Sequence, residues 1–212
     1  MFPPLYAILD TAQICGPAPS VAKILIGAGV SLIQIRDKRA SAKSLFEVSR
    51  ELVALGCGGV RVIINDRPDI AAMSGASGVH VGQEDLPVEA ARKICGPALW
   101  VGISTHNLEQ FEQAARTSAD YIAVGPIFPT ATKENPDPVV GIELLRKVRR
   151  LTQKPLVAIG GITLESAESV YRAGADSLAV VRDLLSAGDP AERTRQYLAV
   201  AELVFSHRTG AN

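Results

Sequence analysis

The sequence predicts a single α/β domain, a (β/α)8 barrel of the TIM type. Three observations carry that prediction. Eight short runs, several of them almost continuously apolar, recur along 212 residues, as parallel strands buried on both faces do. Segments with apolar residues at helical spacing lie between them, with no long polar linker. Polar and charged residues collect just after the strand runs, where such a barrel carries its chemistry.

The eight strands are expected at 5–9, 32–36, 62–65, 79–81, 100–103, 121–124, 156–159 and 178–181. After the first, Ser20 precedes Val21, Ile24, Leu25 and Ala28, an apolar stripe at helical spacing. Gly27 and Gly29 flank Ala28 as a helix stop. After the second, Ser44 and Glu47 have capping-box spacing ahead of Val48, Leu52 and Leu55, and Gly56 ends the segment. Leu108, Phe111 and Ala115 mark a helix after the fifth strand. Thr163 is placed to cap a helix over 164–173, stopped by Gly174. Asp189 and Pro190 open the last helix, with Leu198, Ala201 and Val204 on one side. The barrel domain is taken as 1–206, with 207–212 a frayed, disordered tail. An open doubly wound sheet is the competing architecture, and the GxGxxG it favours after the first strand is absent.

Apolar residues are 47% and charged residues 21% of the chain, enough for a sizeable core and unlike a disordered protein. Lys and Arg number 22, as do Asp and Glu, so the formal net charge is zero. That removes the electrostatic case for nucleic acid or an acidic membrane as partner. No run of 18 apolar residues is present, and the apolar start lacks a basic leader. Cys15, Cys57 and Cys95 form no CxxC pair and read as reduced, partly buried thiols. The expected compartment is the cytoplasm.

The candidate site residues follow strand by strand. Gln34, Arg36 and Lys38 alternate onto one face at the end of the second strand, an amide and two cations suited to phosphate oxygens. Asn65 and Asp66 end the third strand, and Asp85 follows the fourth. Carboxylates after neighbouring strands fit one Mg2+ shared with substrate phosphates, or else cap the helices that follow. His80 lies within a strand and reads as a core histidine. Ser104 and His106 follow the fifth strand at the barrel mouth. The loop 125–140 holds four prolines with Thr130, Thr132 and Lys133, and reads as a lid over an anionic substrate. Gly160 and Gly161 end the seventh strand as an anion cradle, and Val181 and Arg182 end the eighth beside them. Two anion-binding halves suggest a transferase that joins two phosphorylated small molecules.

In order along the chain stand QIRDK at 34–38, IND at 64–66, GVHVGQEDLP at 78–87, GIS at 102–104, ADYIAVGPIFPTATK at 119–133 and AIGGIT at 158–163. With these motifs the chain resembles the thiamine-phosphate synthase (thiamine-phosphate pyrophosphorylase) family over most of its length. The resemblance implies an enzyme that condenses 4-amino-5-hydroxymethyl-2-methylpyrimidine diphosphate with 4-methyl-5-(2-phosphoethyl)thiazole, giving thiamine phosphate and pyrophosphate. It implies Mg2+ held by Asp66 and Asp85, and the pyrimidine diphosphate held by Gln34, Arg36, Lys38, Asn65, Ser104 and Lys133. Thr130, Thr132, Gly161, Val181 and Arg182 would then surround the thiazole phosphate. Arg36, Lys38, Ser104 and Lys133 are the residues expected to assist departure of the diphosphate. Arg182 departs from the family pattern, which usually has a small hydroxyl residue there. The alternatives are a thiazole tautomerase using His106, a sugar-phosphate isomerase or Schiff-base aldolase, and a noncatalytic phosphate-binding relative. The expected partners are the small-molecule substrates, with no nucleic acid and no membrane; homo-oligomerisation is left open.

Overall fold

The computed structural model describes residues 2–56, 58–130 and 137–209. Eight parallel strands form a closed barrel in sequence order. They are β1 (Leu5–Asp10), β2 (Leu32–Arg36), β3 (Arg61–Asn65), β4 (Gly78–Val81), β5 (Trp100–Thr105), β6 (Tyr121–Val124), β7 (Leu156–Ile159) and β8 (Ser177–Val180). The helices are α1 (Ala18–Gly27), α2 (Ala42–Leu55), α3 (Pro68–Ser74), α4 (Val88–Cys95), α5 (Leu108–Ala115), α6 (Gly141–Arg149), α7 (Leu164–Arg172), the single turn α8 (Arg182–Leu185) and α9 (Pro190–Thr209). The predicted fold class is therefore the one observed, and the strand runs match to within two residues at either end.

Alternation along each strand divides the apolar residues into two cores. Residues facing the helices, among them Ala7, Leu9, Ile33, Ile35, Ile64, Val101 and Ile122, join the buried helix faces in the larger one. Residues facing inward, Tyr6, Ile8, Leu32, Ile63, Tyr121, Ala123, Val157 and Ala179, fill the barrel itself. Phe2 closes the floor, its ring stacked 5.2 Å from Trp100, and the Arg61 guanidinium lies 4.0 Å from the centroid of the Trp100 ring. Gly102 is a packing requirement of the same interior. A Cβ there would stand 2.0 Å from Cζ of Tyr121.

Two aspartates clamp the lower edge in the same manner. Asp120 accepts from Val101 N at 2.7 Å and pairs with Arg92. Asp176 accepts from Leu156 N at 2.8 Å and from Arg149 at 2.7 Å. Each carboxylate thus ties the start of the preceding strand to the helix alongside it. At the seam between β1 and β8, Pro4 O accepts from Leu178 N and from Tyr171 Oη, both at 2.9 Å.

Several local expectations need correction. Helix α1 starts at Ala18, not after Ser20, because Pro19 is suited to a first turn. Its buried face is Ala18, Ala22 and Leu25, and Ile24 is exposed. The cap of α2 is Ser41, whose side chain accepts from Ser44 N at 3.1 Å; Ser44 is therefore inside the helix. Val181 lies just past β8, at the start of α8. Helix α9 continues to Thr209, so 207–209 is not a frayed tail; Arg208 reaches back to Tyr171 O. Residues 210–212 lie outside the described residues. Cys15 is exposed and Cys95 buried, both as free thiols, so Cys15 is not partly buried as expected; Cys57 lies outside the described residues. The cap at Thr163 is as predicted, with Thr163 N donating to Ser166 Oγ at 3.0 Å. Among the described residues no helix is long and apolar enough to cross a membrane.

Candidate active site

The strand ends of one barrel face open into a cavity of about 1030 Å³. Gln34, Arg36, Lys38, Asn65, Asp66, Asp85, Ser104, Thr130, Gly161, Val181 and Arg182 all line it. The structure thus brings together every predicted site residue it describes. Thr132 and Lys133 lie outside the described residues, with the middle of the expected lid.

The charged side is built by register. Asp10 of β1 sits opposite Arg36 of β2, and the buried Asp10 carboxylate pairs with the guanidinium. One ion pair leaves further N–H donors of the planar fork for a ligand. Lys38 lies just past β2 and its ammonium pairs with Asp66. Asp66 adopts φ of +60°, a left-handed conformation that is uncommon for a residue with a side chain. Its N–H donates to His80 O at 2.8 Å, which extends the β3–β4 pairing through this strained residue. Asp85 Oδ2 accepts from Gly82 N at 2.8 Å. Neither carboxylate caps a helix, since Arg67 and Pro87 hold the cap positions of α3 and α4. Burial, with the facing Asp66 carboxylate adding to it, pushes the Asp85 carboxyl above its ordinary range. Two carboxylates share a space where the Gly82 N–H and the Lys38 ammonium offset their repulsion. That donor set suits a hard divalent cation such as Mg2+, which is usually bound by one or two carboxylates plus phosphates and water. Among the described residues no cluster of three or more His, Cys, Asp or Glu could hold a metal.

The opposite side is built from backbone. Gly160 and Gly161 have φ of +96° and +64°. A Cβ on Gly161 would lie 2.4 Å from Pro129 O. The loop start is bonded to the end of β7, with Ile127 N to Ile159 O at 2.9 Å and Phe128 N to Gly160 O at 3.0 Å. Thr130, the residue after Pro129, lines the cavity together with the glycine pair. Below them Asp183 accepts from Tyr197 Oη at 2.7 Å, Leu164 N at 3.2 Å and Arg193 at 3.3 Å. One carboxylate thus fixes α7, α8 and α9 to one another beneath the cavity rim.

Between the two sides stands Ser104, whose hydroxyl meets His80 Nε2 at 2.8 Å. Gln83 Nε2 donates to Ser104 O at 2.6 Å. His80 is buried, as a core histidine should be, yet it also lines the cavity. His106 meets Gly125 O through Nδ1 at 2.6 Å, and its Nε2 lies 3.5 Å from Asp137. Asp10, Tyr6 and Gln83 were missed by sequence reasoning. A signal for two of them existed: Tyr6, Ile8 and Asp10 alternate onto the inner face of the first strand, as Gln34 and Arg36 do on the second.

The cavity thus has one wall of charged side chains and one wall of backbone at a glycine pair. Comparison with known proteins identifies the family. The family model described as thiamine monophosphate synthase matches residues 5–184. A thiamine-phosphate synthase of Koribacter versatilis is 50% identical over 204 residues, covering 93% of this chain and 95% of the relative. One from Chloroflexus aurantiacus is 41% identical, covering 94% and 93% respectively. The structure of thiamine phosphate pyrophosphorylase from Pyrococcus furiosus superposes with a TM-score of 0.87 at 33% identity, covering 95% of this chain and 96% of that one. By these matches, over nearly its whole length, the chain belongs to the thiamine monophosphate synthase family.

Proposed function

We propose that the chain joins 4-amino-5-hydroxymethyl-2-methylpyrimidine diphosphate to 4-methyl-5-(2-phosphoethyl)thiazole, forming thiamine phosphate and releasing pyrophosphate. The observation that carries this reading is the two-sided cavity in a chain of this family: Arg36, Lys38, Asp66 and Asp85 on one side, Gly161 and Val181 on the other.

In this reading the diphosphate lies between Arg36, Lys38 and Asn65, with Ser104 beside it. Asp66 and Asp85 would hold Mg2+, which supplies positive charge to the diphosphate. The thiazole phosphate lies against Gly161, Val181 and Thr130, with Arg182 adding a charge-assisted bond. The roles of Thr132 and Lys133 rest on the family resemblance alone.

The reaction is dissociative. The C–O bond to the diphosphate breaks first, and its electron pair leaves with pyrophosphate. The pyrimidine stabilises the methylene cation that remains, and the thiazole nitrogen then supplies the pair for the new C–N bond. Charge grows on the leaving oxygens as the bond breaks, so donors aimed there lower the barrier more than they tighten binding. Arg36, Lys38 and Ser104 are such donors. No nucleophile from the protein is needed. Holding the thiazole against Gly161 keeps its nitrogen in place while the cation exists, which gives it the advantage over water.

The test is a coupling assay with purified protein, both substrates and Mg2+, following thiamine phosphate by fluorescence after oxidation to thiochrome. Product is expected with Mg2+ and is expected to disappear with EDTA. Folded protein that makes no product would overturn the reading and favour the tautomerase that His106 would serve.

A further inference from the structure

Five polar side chains form one hydrogen-bonded line across the barrel interior. Gln34 Nε2 donates to Tyr6 Oη at 2.6 Å, and Tyr6 Oη meets Tyr121 Oη at 3.0 Å. Tyr121 Oη meets His80 Nδ1 at 3.0 Å, and His80 Nε2 meets Ser104 Oγ at 2.8 Å. The five come from β2, β1, β6, β4 and β5, and the first four are all buried. The Tyr121 ring occupies the space that Gly102 leaves open and stacks on His80 at 5.5 Å. Burial pushes the pKa of both tyrosines up, so their hydroxyls stay protonated and can each pass on one hydrogen.

Such a line has two polarities, because each hydroxyl carries a single hydrogen. If Gln34 donates, Tyr6 donates to Tyr121, Tyr121 donates to Nδ1 of His80, and Nε2–H donates to Ser104. The Ser104 hydrogen is then left for the cavity. In the reverse polarity Ser104 gives its hydrogen to His80 and turns only lone pairs toward the cavity. An anionic oxygen accepts and cannot donate, so an anion beside Ser104 is compatible with the first polarity and repelled by the second. The orientation of Gln34 belongs to the first. At that far end it leaves the amide oxygen as the acceptor.

We propose that Tyr6, Tyr121 and His80 are positioning residues: they fix His80 as the Nε2–H tautomer and aim the Ser104 hydrogen at an anionic oxygen of the bound diphosphate. The proposal rests on the reading that Ser104 contacts the diphosphate. It adds a reason for a buried tyrosine pair and a two-sided histidine in a core that apolar residues could fill.

The test uses the full chain with 15N-labelled imidazoles, where His80 is one of three histidines. His80 Nδ1 is expected to report as unprotonated and Nε2 as protonated at neutral pH, and to stay so when inorganic pyrophosphate and Mg2+ are added. Tyr121→Phe keeps the ring and removes the hydroxyl. It is expected to lower kcat about 10-fold, less than loss of a whole donor, while KM for the pyrimidine diphosphate stays within about 3-fold, as for a group that acts mainly in the transition state. In a Ser104→Ala background the same change is expected to cost nothing further. An Nδ1–H or doubly protonated His80 in the unaltered protein would overturn the proposal, whether or not the variants fold. Equal losses in both backgrounds would overturn it too, as the mark of a packing role. An Nε2–H His80 in a protein that makes no thiamine phosphate would support the relay and count against the functional reading.

Discussion

The two ends of the barrel use the same residue types for opposite purposes. At the lower edge Asp120 and Asp176 each accept a backbone N–H from a strand start and an arginine from the adjacent helix. In each, Oδ2 is engaged twice by the fold itself. At the upper edge Asp66 and Asp85 face one another, with Lys38 the cation beside them. That lysine side chain is 55% exposed, against 24% for Arg149 and 17% for Arg92. A carboxylate bonded to a strand and a helix stabilises the fold; two that face one another beside an exposed lysine suit a ligand. The number of aspartates at a strand end therefore says little, and their partners say which job they do.

The largest effect expected from breaking this contrast is at the upper edge. Asp66→Ala should lower Mg2+-dependent turnover by at least about 100-fold, the scale of losing a main electrostatic contact in the transition state. Its thermal unfolding should change little, and full activity in the variant would remove Asp66 from the metal site. The mirror experiment is Asp176→Ala. It should destabilise the protein by about 2 kcal/mol, since two hydrogen bonds to a charge are lost, lowering Tm by roughly 5 °C for a chain of this size. Calorimetric scans with kcat measured well below Tm separate the two effects; a fall in kcat with an unchanged Tm would contradict the division.

Smaller effects sharpen the picture within the upper edge. Lys38→Ala should weaken diphosphate binding about 10-fold by titration calorimetry, as expected for one charged donor. Unchanged affinity would mean that the lysine serves only Asp66. Arg182→Ser should raise KM for the thiazole phosphate by only about 3-fold, because the backbone would carry most of that site, and added salt should shrink the difference. A loss as large as that from Lys38→Ala would mean that side-chain charge holds both anions.

Much of this was legible in the sequence. Runs such as 32–36 and 121–124 declare themselves because strands buried on both faces must be apolar nearly throughout. The polar residues that interrupt them, Gln34 and Arg36, mark the cavity for the same reason. The start of α1 was misplaced because a proline in a first turn is a weaker signal than the serine after it. Ser41 was overlooked because Ser44 stands three residues on with the same chemistry. The line from Gln34 to Ser104 was out of reach for a different reason. It depends on which inward residues of five strands meet at one height in the barrel, and that register is set by closure, not by any local pattern.

The seam between β1 and β8 carries one more consequence. Pro4 O is claimed by Leu178 and by Tyr171, and Arg208 of the last helix secures Tyr171 in turn. During synthesis, then, the first strand waits for almost the entire chain before it gains its second neighbour. Until that moment the sheet is an open parallel ribbon with two bare edges, the form most inclined to pair with other chains. Closure of the ring is therefore the step at which the nascent protein becomes safe from its neighbours, and it is made by residues from opposite ends of the sequence.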